Sequence, residues 1–124
     1  MASETAELAE WTLTTAEGRP AVSLRAANPD RVLLVDAGDL LQGTAIASIA
    51  LRDSLGINPI VAAMNAMHYA AAAIGNHEFN YGTRYLGRAI SQATFPFLAA
   101  NAMTPTGTRA FVPWTLVTRS GVRI

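Results

Sequence analysis

Three short apolar runs, each closed by a turn residue, constrain this chain more than anything else in it. Arg31-Val32-Leu33-Leu34-Val35-Asp36-Ala37 ends at Gly38-Asp39, Tyr69 to Ile74 ends at Gly75-Asn76, and Phe95-Pro96-Phe97-Leu98-Ala99-Ala100 precedes Asn101. The first is a continuous β-branched and leucine run, which predicts a parallel strand buried on both faces. Between the runs the spacing turns helical. Thr44 to Leu55 carries Ile46, Ile49 and Leu51 among alanines and closes at Gly56. Asn58-Pro59 opens a second helix through Ile60, Val61, Met64 and Met67, with Asn as cap and Pro in the first turn. Gly82-Thr83 opens a third, with Tyr85, Leu86 and Ile90 on one face. Alternating strands and helices predict an α/β fold with right-handed crossovers and a parallel sheet.

The two ends of the chain read differently. Glu4, Glu7, Glu10 and Glu17 lie before residue 20, and only Glu78 lies elsewhere. A short helix capped by Ser3 is expected there, inside an N-terminal extension over residues 1–22, followed by a partial domain over 23–124. Ala21 to Ala27 predicts another short helix, stopped by Asn28-Pro29 because the residue before proline avoids the α region. Trp114 to Thr118 and Val122 to Ile124 flank Arg119-Ser120-Gly121 and predict a hairpin.

Composition removes several classes of function. The formal net charge is zero, so the basic excess of a duplex nucleic-acid binder is missing. There is no cysteine, which excludes disulfides, thiolate metal sites and a cysteine nucleophile. No apolar run reaches the roughly 18 residues of a membrane helix. The opening residues lack a basic n-region and an apolar h-region, so the sequence as written predicts a cytoplasmic protein.

In open parallel sheets, sites form beyond the carboxyl ends of the strands. Asp36-Ala37-Gly38-Asp39-Leu40-Leu41-Gln42-Gly43 and Gly75-Asn76-His77-Glu78-Phe79-Asn80-Tyr81-Gly82 both occupy such positions. Asp39 and Asn76 stand one crossover apart and would face one crevice if their strands are neighbours. Hard divalent cations take such oxygen donors, and imidazole suits Mn, Fe or Zn. Taken singly, Gly38-Asp39 reads as a turn, Asp36 as a strand-end residue, Asn76 as a cap and His77 as a surface histidine. His68 reads as structural, Met64 and Met67 as core, and Phe79 and Tyr81 as packing residues. The two segments together, in this order, point to chemistry.

They resemble the Gly-Asp-x-x-x-Gly and Gly-Asn-His-Glu blocks of the calcineurin-like metallophosphoesterases. Val32 to Thr44 and Phe95 to Asn101 are similar to the bacterial 5′-nucleotidase branch. Asn80-Tyr81-Gly82 after Gly-Asn-His-Glu-Phe resembles the 2′,3′-cyclic-nucleotide 2′-phosphodiesterase/3′-nucleotidase members instead, since 5′-nucleotidases usually carry Asp there. The resemblance covers residues 23–124. It implies a metal-dependent hydrolase of nucleotides or related small phosphoesters, with two divalent ions among Mn, Zn, Co, Ca and Mg. Asp39 would match the carboxylate bridging the metals, Asn76 an amide ligand, and His77 the histidine that stabilises the transition state or protonates the leaving oxygen. Asn80 would stand where an aspartate orients that histidine.

Other family blocks are missing. No Asp-x-His occurs, no Gly-His-x-His occurs, and the only histidines are His68 and His77. Asp39 and Asn76 alone would hold two metals weakly. The expectation is therefore a metallophosphoesterase domain incomplete at both ends and inactive by itself. The alternatives are a non-catalytic interaction module, which would self-associate or take a partner, and one half of a split enzyme. Intact members of the family are typically periplasmic or secreted.

Overall fold

The computed structural model describes residues 25–52 and 56–124. The chain divides into two compact units, Leu34–Leu116 and a smaller one that includes residues 25–33 and Val117–Ile124. The expected N-terminal extension, its Ser3-capped helix and the start of the Ala21 to Ala27 helix lie outside the described residues, although residues 25–27 are helical.

The larger unit is built on three parallel strands, β1 (Val35–Asp36), β2 (Ala71–Ala73) and β3 (Phe97–Leu98), in spatial order β1-β2-β3. Val35 pairs with Ala71 and Asp36 with Ala72, while Ala72 pairs with Phe97 and Ala73 with Leu98. Helices α1 (Ala45–Arg52) and α2 (Pro59–Ala66) make the first crossover. A 3₁₀ turn at His77–Phe79 and helix α3 (Thr83–Gln92) make the second. This is the predicted alternation, with shorter strands than the apolar runs suggest.

The run from Arg31 to Ala37 is not a strand buried on both faces. Only Val35 and Asp36 join the ladder, and Val35 is 55% exposed. Among the described residues its strand lies at the edge of the sheet, with a neighbour on one side only. β2 lies in the middle, and Ala71 and Ala72 are buried. A run of β-branched residues therefore marked the less covered strand, and a run of alanines the more covered one. Alanine at the centre reflects close approach of neighbouring layers rather than strand propensity.

Helix ends follow the sequence more closely. Thr44 caps α1 by accepting the backbone N–H of Ala47 on its hydroxyl (3.1 Å). Asn58 caps α2 by accepting from the N–H groups of Ile60 and Val61, with Pro59 in the first turn. At the other end of α2, Tyr69 N–H donates to Met64 O and His68 N–H to Asn65 O, with His68 at φ 53°. That is a Schellman closure, and His68 fills the left-handed position glycine usually takes.

Two apolar clusters form the core. Leu41, Val61, Tyr85, Leu86 and Ala89 make one, and Met64, Tyr69, Ala72, Phe95 and Phe97 make the other. Ile60, Ile74 and Ile90 pack against both. On α1 the buried residues are Ala47 and Ala50, while Ile46, Ile49 and Leu51 are exposed. Its larger apolar side chains have no cover among the described residues.

In the smaller unit, β4 (Thr118–Arg119) and β5 (Val122–Arg123) form an antiparallel hairpin. Ser120 and Gly121 turn it with φ 47° and 77°, the positive pair that a two-residue hairpin turn demands. Its ladder begins at Val117, which exchanges two backbone bonds with Ile124, so the predicted strand from Trp114 is shorter. Among the described residues no helix is long and apolar enough to cross a membrane.

Candidate functional site

The loops that follow β1 and β2 meet because two glycines allow it. Gly38 has φ 96°, and a Cβ there would fall 2.7 Å from the backbone nitrogen of Gly75. A Cβ on Gly75 would collide with the carboxylate of Asp39. Neither position admits a side chain without displacement: the backbone of the second loop occupies the space at Gly38, and the Asp39 carboxylate the space at Gly75. Asp39 then lies against the second loop, where the backbone N–H of His77 donates to its Oδ1 (3.0 Å). Asp39 itself has φ 66°, a left-handed conformation that costs a non-glycine residue free energy and that surrounding bonds must hold.

Glu78 supplies those bonds. It is 1% exposed. Its Oε2 accepts the N–H groups of Asp39 and Gly75, both at 2.7 Å. Its Oε1 accepts those of Leu40 (2.6 Å) and Leu41 (3.0 Å). One carboxylate thus satisfies four backbone donors and ties the two loops together. Sequence reasoning gave Glu78 no role. The signal was available: the turn after an edge strand leaves backbone donors without ladder partners, and Glu78, the only acidic residue after Asp53, is their natural acceptor.

Asp36 closes its own turn, as a strand-end residue should, by accepting the N–H of Gly38 on Oδ1 (2.7 Å). Burial raises its carboxyl above the ordinary value, the Gly38 bond opposes that rise, and the nearby charge of Glu78 adds to it.

Asn76, His77 and Asn80 are exposed at the mouth of these loops. The 3₁₀ geometry of His77–Phe79 stacks residues three apart, which sets Asn80 over His77. The Asn80 side-chain nitrogen lies 2.9 Å from Nδ1 of His77 and 3.1 Å from Oε1 of Gln42. Phe79 packs edge-on against Phe111, and Tyr81 against Tyr85, as the packing reading expected. A cleft of about 710 Å³ opens beside Asn76, walled by Ile74, Phe79, Met103 and Phe111. That volume suits a small molecule. His68 closes α2 and takes no part.

For a hard divalent cation the donors are right in kind and short in number. Asp39 offers carboxylate oxygen and Asn76 amide oxygen, whereas such ions take six or more oxygens. Among the described residues no group of three or more His, Asp or Glu could hold a metal ion.

No protein-family model matches the chain. It is 38% identical over 99 residues to the trifunctional nucleotide phosphoesterase protein YfkN of Bacillus subtilis, covering 74% of this chain and 7% of that protein. It is 42% identical over 89 residues to a 2′,3′-cyclic-nucleotide 2′-phosphodiesterase/3′-nucleotidase of Yersinia enterocolitica, covering 68% of this chain and 14% of that one. The crystal structure of the calcineurin-like phosphoesterase YfkN from Bacillus subtilis superposes with a TM-score of 0.71 at 34% identity, over 82% of this chain and 34% of the other. The chain therefore spans less than a fifth of the length of these curated relatives.

Proposed function

This chain carries part of a calcineurin-like phosphoesterase domain, and on that premise we propose that it contributes one half of a metal-dependent site for hydrolysing nucleotide phosphoesters. The observation that supports the reading is the bond from the His77 backbone N–H to Asp39, which joins the Asp39 loop to the Asn76-His77 segment beyond the carboxyl ends of adjacent parallel strands. Asp39 and Asn76 would hold two divalent ions together with ligands from outside the described residues. When bound, such ions supply positive charge at the phosphoryl oxygens and activate water. His77 stands next in sequence to Asn76 and would donate a hydrogen bond or proton to the leaving oxygen. Asn80 holds the His77 ring from behind. Gly43 (φ 99°) and Gly82 (φ 82°) let the chain leave the two loops for α1 and α3.

Between 5′-nucleotides and 2′,3′-cyclic nucleotides, Asn80 favours the second. It stands in the segment His77-Glu78-Phe79-Asn80-Tyr81-Gly82, and the Yersinia phosphodiesterase is similar at 42%. The test is a chimera in which residues 34–116 replace the matching segment of the Bacillus relative. It is expected to cleave 2′,3′-cyclic AMP with Mn²⁺ and to lose that activity on Asp39→Asn. A folded chimera without activity overturns the reading. The 124-residue chain alone is expected to show negligible turnover.

A second reading, a module completed by a partner or by another copy of itself, is favoured by the exposure of Val35, Ile46 and Ile49. Sizing chromatography separates the two: a cooperative, monomeric chain counts against that reading.

A further inference from the structure

We propose that Gln42 is a positioning residue which, through Asn80, determines the ring nitrogen of His77 that carries the proton. The inference takes its catalytic meaning from the hydrolase reading, but its geometry stands apart from it. The side-chain nitrogen of Asn80 is a donor only and carries two hydrogens. Two acceptors lie within reach, Oε1 of Gln42 at 3.1 Å and Nδ1 of His77 at 2.9 Å. Gln42 presents its oxygen to Asn80 and so takes one hydrogen. With one hydrogen given to Gln42, the other is available to Nδ1 of His77. A ring nitrogen that accepts cannot also carry a proton in the neutral imidazole, so the proton resides on Nε2.

The consequence is chemical. Neutral His77 offers Nε2–H as a donor, fitted to an oxygen that gains negative charge. An aspartate at position 80 would do the opposite. Its carboxylate accepts only, which draws the proton to Nδ1 and leaves Nε2 as a lone pair. Gln42 is 38 residues away in the loop between β1 and α1. It therefore links the two loops again, beyond the Glu78 carboxylate and the His77–Asp39 bond, and does so at the histidine.

The experiment is a long-range ¹H–¹⁵N spectrum of the histidine rings in the ¹⁵N-labelled chain, without metal or substrate. It is recorded near pH ~8.5, about two units above the ordinary imidazole value. Only His68 and His77 contribute signals, and a His77→Gln sample assigns them. The wild-type spectrum is expected to show protonated Nε2 and unprotonated Nδ1 at His77. Gln42→Glu keeps an acceptor for Asn80 and should leave the pattern unchanged. Gln42→Leu frees the amide to turn its oxygen to the ring, so the Nδ1 resonance should move toward the protonated position. Asn80→Asp should carry it fully there.

A wild-type ring protonated at Nδ1 overturns the proposal. So does an Nδ1 resonance that stays put in a folded Gln42→Leu chain. The wild-type and Gln42→Glu spectra suffice if the leucine variant does not fold, because loss of the pattern in the glutamate variant also overturns it. A chimera that is inactive while this pattern holds would defeat the hydrolase reading alone.

Discussion

Replacing Glu78 with glutamine exchanges one carboxylate oxygen for an NH₂ group. Whichever oxygen is exchanged faces two backbone donors, either Asp39 and Gly75 or Leu40 and Leu41. The amide thus keeps two of four bonds and sets two N–H groups against a third donor. A hydrogen bond to a charged acceptor contributes about 1.5–3 kcal/mol net, and an unmatched buried donor costs about 1–3 kcal/mol. The side chain is 1% exposed, so water cannot take its place. The expected loss is on the order of 3 kcal/mol, a large part of the roughly 5–15 kcal/mol that holds a domain together. For a chain of this size that lowers Tm by about 10 °C.

Urea melts of wild type and Glu78→Gln measure the loss, and amide hydrogen exchange locates it. The midpoint should fall with little change in slope, and protection should vanish at Asp39, Leu40, Leu41 and Gly75 first. A variant within about 0.5 kcal/mol of wild type, or one with unchanged protection at those four amides, would refute the account of Glu78.

Three other changes probe the same loops and their surroundings. Gly75→Ala forces the Asp39 carboxylate aside, so it should cost about 1–3 kcal/mol and expose the His77 amide to exchange. Unchanged exchange at His77 would contradict the close approach. Asp36→Asn keeps the acceptor for Gly38 and removes a charge the fold disfavours. Because burial raises the folded carboxyl above its ordinary value, its stabilisation is complete below that ordinary value and is lost as pH rises through the folded one. The variant should therefore melt above wild type at pH ~7 and match it near pH ~3; a lower melt at neutral pH would contradict the sign. His68→Gly relieves the left-handed residue that ends α2 and should raise stability by roughly 1 kcal/mol, read as a higher urea midpoint.

Much of the fold was legible because local chemistry decides it. Asn58-Pro59 and Ser120-Gly121 act within a few residues, and the structure uses the first as a cap and the second as a turn. Strand extent was not legible in the same way. The run at Arg31 to Ala37 has the composition of a central strand, yet its coverage depends on which neighbours the sheet supplies, and among the described residues β1 has one. The candidate site was visible as two turn segments at strand ends. Their meeting depends on Gly38 and Gly75, whose shared role lies in a contact between residues 37 positions apart. Glu78 and Gln42 were missed because their partners are 37–39 residues away or on backbone amides, where side-chain spacing carries no trace.

The central claim, that Asp39, Asn76 and His77 form one half of a metal-dependent phosphoester site, is tested most directly by the chimera carrying residues 34–116 within the Bacillus relative. The measurement is Mn²⁺-dependent cleavage of 2′,3′-cyclic AMP, alongside a melt that establishes folding. The account predicts turnover that falls by more than about 100-fold on Asp39→Asn. A folded chimera with no turnover, or one whose activity survives that substitution, would contradict it.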